Sequence, residues 1–238
     1  MIKGILNAIY PRRCVLCMTS CRQSDDSPLD LCKDCQNDLP LMESACFQCA
    51  IPLQNTLEAQ RCGQCLQKPP AFDHVISFYH YQQPLIWLIQ QMKFHKRILL
   101  ARLLSQLMVR RLQLHQSLSI PDAIIPVPLH HKRRYQRGFN QAEELAKSIA
   151  KALHCPLDSH YLERHLNNPQ QSGLNAKQRR KNVKGVFRIS HKTTKHYSHV
   201  AIIDDVMSTG STLNEIARVL KKSGIKKVDV WVLARASR

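Results

Sequence analysis

After residue 70 the apolar positions alternate between short continuous runs and helical periods, a pattern that predicts a sheet with helices packed on it. His74 to Tyr81, HVISFYHY, is rich in β-branched and aromatic residues and reads as a strand. Pro84 is placed as the first residue of a helix carrying Leu85, Leu88, Ile89 and Met92, and a second helix runs through Ile98 to Leu112. Trp87 is expected in the core or at a domain interface. Asp122 to Pro128, DAIIPVP, is an apolar strand ending in a basic turn, after which Gly138, Phe139, Asn140 and Gln141 lead into a helix with Ala142, Leu145, Ala146 and Ile149. Val200, Ala201, Ile202 and Ile203 form a second continuous run, the mark of a strand buried on both faces of a parallel sheet. Leu213, Ile216, Ala217, Val219 and Leu220 follow at helical spacing, and Val228, Val230, Val232 and Ala234 alternate as a last strand. The pattern predicts an α/β fold, a parallel sheet flanked by helices.

The first 70 residues lack this pattern and carry nine of the ten cysteines instead. Eight form four Cys-x-x-Cys pairs, Cys14/Cys17, Cys32/Cys35, Cys46/Cys49 and Cys62/Cys65. Such a turn aims two thiolates at one ion, and two turns complete the tetrahedral four-cysteine site that structural zinc prefers. The spacings favour two sequential zinc ribbons, first pair with second and third with fourth, over an interleaved arrangement. Cys21 is a spare, and Cys155 is expected as a small buried hydrophobe in an apolar helical stretch. Lys68-Pro69-Pro70 marks the expected boundary between a module of residues 1–70 and a domain of residues 71–238. Ile2, Ile5, Leu6 and Ile9 have helical spacing, but the stretch is too short for a membrane span and has no signal-peptide features, so a cytoplasmic protein with reduced thiols is expected.

The formal net charge of +18 belongs entirely to the second part: residues 1–70 hold seven basic and seven acidic side chains, residues 71–238 hold 28 and 10. A four-thiolate zinc site adds two negative charges, so the loaded module is acidic, and this favours a structural or docking role over DNA contact. The basic part suits a polyanion, against the plainer reading of a solvated surface. Arg164 to Val183 is polar and ends in Lys177, Arg179, Arg180 and Lys181, a candidate nucleic-acid contact on either a loop that closes over a site or a plain surface loop.

The densest chemistry lies in Val200 to Thr212, VAIIDDVMSTGST. Asp204 and Asp205 close the apolar strand at its carboxyl end, where open α/β sheets bind ligands. Ser208, Thr209, Gly210, Ser211 and Thr212 then open a helix, whose unpartnered N–H groups and positive dipole end make an anion cradle. Adjacent carboxylates accept hydrogen bonds from the hydroxyls of a diol, so the pair and the loop together read as a grip for ribose 5-phosphate. The plain alternative is a polar turn with a helix cap. The stretch lacks the Gly-Lys-Ser/Thr ending of a P-loop, and its single glycine is no dinucleotide fingerprint. His130, His131, Lys132, Arg133, Arg134 and Arg137, at the end of the other apolar strand, suit a diphosphate or, alternatively, a solvated loop or a nucleic-acid patch.

Val200 to Thr212 resembles the phosphoribosyl diphosphate (PRPP) signature of type I phosphoribosyltransferases. That resemblance implies that Asp204 and Asp205 hold the ribose hydroxyls and that the loop through Val206, Met207, Ser208, Thr209, Gly210, Ser211 and Thr212 binds PRPP. Enzymes of this type acting on 6-oxopurines carry an aspartate base where Ser208 stands, which disfavours that substrate class. Pro126-Val127-Pro128, Arg137-Gly138-Phe139-Asn140-Gln141, Pro169-Gln170-Gln171-Ser172-Gly173-Leu174 and Asn182-Val183-Lys184-Gly185-Val186-Phe187 further resemble the ComF family of ComFC/GntX type, over nearly the whole chain. Asn168 and His95 depart from the family's usual threonine and glycine. The resemblance implies a double zinc ribbon with two structural Zn²⁺ ions ahead of a type I phosphoribosyltransferase-like domain, PRPP or a related sugar phosphate with Mg²⁺, and a part in DNA uptake and natural transformation. Single-stranded DNA and other competence proteins are the implied partners. Two functions follow as expectations: a competence protein handling incoming single strands, or an active phosphoribosyltransferase in which Asp204 and Asp205 position the sugar and Lys132, Arg133 and Arg137 meet the leaving group.

Overall fold

The computed structural model describes residues 12–21, 29–53, 60–95, 97–115, 118–166, 183–191 and 194–237. The spaced residues Ile2, Ile5, Leu6 and Ile9, the basic group Lys177, Arg179, Arg180 and Lys181, and Asn168 lie outside the described residues.

Six strands are formed among the described residues: β1 (His74–His80), β2 (Ala123–Pro126), β3 (Leu162–Arg164), β4 (Phe187–Ile189), β5 (His199–Met207) and β6 (Lys227–Arg235). Seven helices accompany them among the described residues: α1 (Lys33–Asn37), α2 (Gly63–Gln67), α3 (Leu85–Phe94), α4 (Ile98–Gln113), α5 (His131–Arg137), α6 (Gln141–Ala152) and α7 (Ser211–Lys222). Four strands make a parallel sheet in the order β1-β6-β5-β2, and β3 pairs antiparallel with β4.

Successive side chains of a strand point to opposite faces, and the continuous apolar runs therefore feed two cores. Ile124, Ala201, Ile203, Trp231 and Leu233 join α3, α4 and α6 on one face; Ile125, Val200, Ile202, Val230 and Val232 join α7, β3 and β4 on the other. The alternation read in β6 concealed a central strand: its intervening positions, Trp231 and Leu233, are apolar as well, and both are fully buried. Trp87 packs half-buried against the first core.

Several local expectations are corrected. Pro84 sits at the N-cap, with the helix starting at Leu85. The basic turn after β2 is the short helix α5, capped by the His130 ring, whose Nδ1 accepts from the Lys132 N–H at 3.3 Å. Cys155 is buried, as expected, but lies beyond the end of α6, and its thiol donates to the Pro121 carbonyl at 3.1 Å. The β3–β4 pair, three residues a side, was too short to leave a periodic signal.

The cysteine-rich segment is packed into this body. Cys14, Leu29, Leu31 and Leu39 enter the first core, whereas Ala50 enters the second. Between the ribbons the chain runs along the open edge of β1, with Met42 N–H donating to the Phe78 carbonyl at 3.0 Å and His80 N–H to the Pro40 carbonyl at 2.8 Å. An edge strand that would otherwise present unpaired backbone groups is thereby covered.

Candidate functional site

The site is built at the carboxyl ends of β5 and β2. β5 continues through the acids to Met207, and each acid braces the next peptide: Asp204 Oδ1 accepts from the Asp205 N–H and Asp205 Oδ1 from the Val206 N–H, both at 2.9 Å. Asp205 is buried and forms an ion pair with Lys93, which reaches over from the last turn of α3. Loss of surrounding water pushes the Asp204 carboxyl up to about 8, the charge on Asp205 adds to this, and Lys93 pulls the other way. Burial draws Lys93 down, but Asp205 beside it more than compensates and holds its ammonium above the usual lysine range.

The chain then turns sharply into α7. Gly210 is the N-cap and adopts φ +72°, which favours glycine, and a Cβ there would lie 2.6 Å from the Met207 methyl, so any larger residue must also push the end of that side chain aside. The Thr209 and Ser211 hydroxyls are hydrogen-bonded at 2.9 Å, which leaves a tight hydroxyl-lined rim in front of the first turn. α7 has twelve residues, long enough for its amino-terminal N–H groups to carry the positive end of a helix dipole.

Three guanidiniums share the cavity with the acids. Arg133 and Arg137, four apart on α5, share a face; Arg164 comes from β3. All three line one cavity of about 200 Å³ together with Lys93, Asp204, Asp205 and the whole of Val206 to Thr212. Burial lowers Arg133, with the charge of Arg137 adding to it, and burial lowers Arg164, with the charge of Arg133 adding. Cations grouped in this way suit a multiply charged anion. Arg137 Nη1 donates to Gln141 Oε1 at 3.0 Å and its guanidinium lies 5.8 Å from the Phe94 ring centre, so it is held in place before any anion arrives.

The structure brings together every residue expected of the sugar-phosphate grip, along with Arg133 and Arg137. Lys132 is not part of the cavity wall; one position along α5 from Arg133, it is exposed on another face. Two wall residues were missed as site residues. Lys93 meets an acid 112 positions away, and Arg164 stood at the start of a polar stretch, so neither had a local motif to mark it.

The eight paired cysteines form two clusters, Cys14/Cys17/Cys32/Cys35 and Cys46/Cys49/Cys62/Cys65, each with its four ligand atoms within 4.8 Å of one another. This is the sequential arrangement. Both clusters use one design. A knuckle ends on a non-glycine residue in the left-handed region, Met18 at φ +64° and Ala50 at φ +51°, whose N–H returns to the Cys14 or Cys46 carbonyl. The second pair of each opens a single helical turn, with Cys32 or Cys62 as N-cap. A tetrahedron with Zn–S bonds of about 2.3 Å has sulfurs about 3.8 Å apart. The Cys17 and Cys32 sulfurs lie at 3.6 Å and those of Cys49 and Cys62 at 3.7 Å, so both donor sets fit zinc, which would cross-link the segments that supply them.

Comparison with known proteins agrees with both halves. Residues 5–66 match the family model of the double zinc ribbon domain, and residues 140–238 match that of the phosphoribosyl transferase domain. The chain is 38% identical over 228 residues to Competence protein F of Haemophilus influenzae, covering 94% of this chain and 97% of that protein. It is 38% identical over 209 residues to the DNA utilization protein YhgH of Escherichia coli O157:H7, covering 86% and 90%. Competence protein ComFC of Bacillus subtilis is 34% identical over 105 residues, 42% of this chain and 39% of that protein.

Proposed function

The chain belongs to the competence protein F and ComFC family, and from that membership we propose a competence protein that binds PRPP with Mg²⁺ in residues 71–238 and handles incoming single-stranded DNA in the cytoplasm. The observation that carries the sugar-phosphate part is the grouping, within one cavity, of the Asp204/Asp205 pair and hydroxyl loop with Arg133, Arg137 and Arg164. Acids take the ribose hydroxyls, the start of α7 takes the 5-phosphate, and the guanidiniums take the diphosphate. Mg²⁺ would neutralise part of the diphosphate charge. The DNA part is supported by the names of the relatives and by the basic excess of residues 71–238, 28 basic against 10 acidic side chains. Residues 1–70 serve as a structural or docking module. No helix among the described residues is long and apolar enough to cross a membrane.

Calorimetry with PRPP and Mg²⁺ tests the binding reading. The wild-type chain should bind, and Asp204→Asn with Asp205→Asn should lose about tenfold or more in affinity while zinc content is kept. Equal binding by the two proteins, or none by the wild type, defeats it.

The same cavity supports a second reading, transfer of the ribosyl 5-phosphate to an acceptor outside the 6-oxopurines. The bond from C1 to the diphosphate breaks with its electron pair leaving on the diphosphate, a bond from the acceptor to C1 forms, and the acceptor's proton passes to solvent. Arg133 and Arg137 face the negative charge that develops, and catalysis would rest on their placement more than on a strong base.

A further inference from the structure

The last strand ends in a buried cation outside the cavity described above. Arg235 is 2% exposed. Its Nε donates to the Cys49 carbonyl at 3.0 Å, and its Nη1 donates to the Met207 carbonyl at 3.1 Å and also to the Ser208 and Ala236 carbonyls. One guanidinium therefore joins a cysteine of the second four-cysteine cluster to two consecutive peptides of the phosphate loop.

The Met207 carbonyl also accepts from the Ala236 N–H at 3.0 Å, continuing the β5–β6 pairing, whereas the Ser208 carbonyl, beyond the end of β5, is held by the Arg235 side chain. In a planar trans peptide the N–H points opposite to the C=O. With the Met207 and Ser208 carbonyls turned to Arg235, the N–H groups of Ser208 and Thr209 are turned away from it. The loop is the wall between two cavities: Met207, Thr209, Gly210 and Ser211 line both, whereas Arg235 and Cys49 line the one of about 390 Å³ and the acids and arginines the other. Away from Arg235 is therefore toward the acids and arginines. A four-thiolate zinc site carries two net negative charges, which favour a buried guanidinium bonded to one of its cysteines.

We infer that Arg235 is a positioning residue that aims the backbone N–H groups of the phosphate loop, and that it couples zinc in the Cys46/Cys49/Cys62/Cys65 cluster to the binding of a sugar phosphate. This rests on the PRPP reading of the cavity. Coupling between two sites is reciprocal, so the sugar phosphate also tightens the hold on that zinc.

The test uses the full chain, PRPP with Mg²⁺, and competition for zinc at equilibrium with a chromogenic chelator of graded concentration. Arg235→Met, which keeps the volume and removes the donors, should retain two zinc ions yet bind PRPP about tenfold more weakly, and Arg235→Lys should fall between it and the wild type. In the wild type PRPP should raise the chelator concentration needed to remove one zinc and leave the other unchanged; in Arg235→Met it should raise neither. Wild-type affinity in Arg235→Met overturns the inference. Should that variant fail to fold, the wild-type zinc equilibrium decides alone, and zinc affinities indifferent to PRPP overturn it equally. A wild type that binds no PRPP defeats the sugar-phosphate reading itself and the inference with it, whereas binding by the wild type with an unaffected Arg235→Met variant defeats the inference alone.

Discussion

Asp204 and Asp205 are neighbours in sequence with different surroundings. Asp205 is ion-paired with Lys93, while Asp204, raised to about 8, holds a proton in the folded chain over a range where the unfolded chain has lost it. The folded state then binds more protons than the unfolded one between about pH 4 and 8, so the contribution of this group to stability falls as pH rises across that window. Asp204→Asn, which cannot ionise, should melt higher than the wild type by a margin that is larger at pH 8.5 than at pH 6, on the order of 2 to 4 °C for each kcal/mol. Melting curves at the two pH values read this, and a margin independent of pH contradicts it. Lys93 has the opposite part. Lys93→Met leaves a buried carboxylate without its cation and should cost about 3 kcal/mol in urea unfolding, most of which returns in the double variant with Asp205→Asn.

Among the elements, the loop between β5 and α7 and the two ribbons were legible in sequence because each is local. Five small residues after two acids dictate the turn, and Cys-x-x-Cys spacing dictates the knuckles. Gly210→Ala should cost about 1 kcal/mol from its left-handed backbone. It should also weaken PRPP binding, since the new Cβ must displace the Met207 side chain within the loop. Gly224→Ala, at φ +101° with nothing within 4 Å, should carry only the strain and bind PRPP normally. Calorimetry on the pair separates strain from site damage, and equal affinities contradict the loop argument. For the ribbons, metal analysis should give two zinc ions per chain, falling to one in Cys32→Ser. What sequence did not reveal was non-local or too short for a period: Lys93 against Asp205, Arg164 in the cavity wall, the three-residue strands β3 and β4, and Arg235 behind the phosphate loop. Lys132 is the reverse case, a residue named from a basic run that the helical phase of α5 places outside the cavity wall.

In the whole molecule the zinc ribbons and the sheet share cores, with Cys14, Leu29, Leu31 and Leu39 packed among α3 and α4, so excising residues 1–70 would strip apolar side chains from the first core. The place of DNA contact is therefore better tested by charge in the full chain than by deletion. All the positive excess lies in residues 71–238, and loading the two ribbons with zinc makes their module acidic. Binding of a single-stranded oligonucleotide should fall steeply with salt, each neutralised phosphate adding about −0.7 to the log–log slope. Reversing Arg179, Arg180 and Lys181 to glutamate should flatten that slope by roughly 2. Reversing Arg12, Arg13 and Arg61 on the ribbons should leave it unchanged, because the acidic module that carries them already repels phosphate, and Arg12 is paired with Asp30 at 2.7 Å. Gel shifts over a salt series distinguish the two sets; if the ribbon variant loses the strand and the other retains it, the acidic-module argument is wrong and the ribbons are the DNA-binding element.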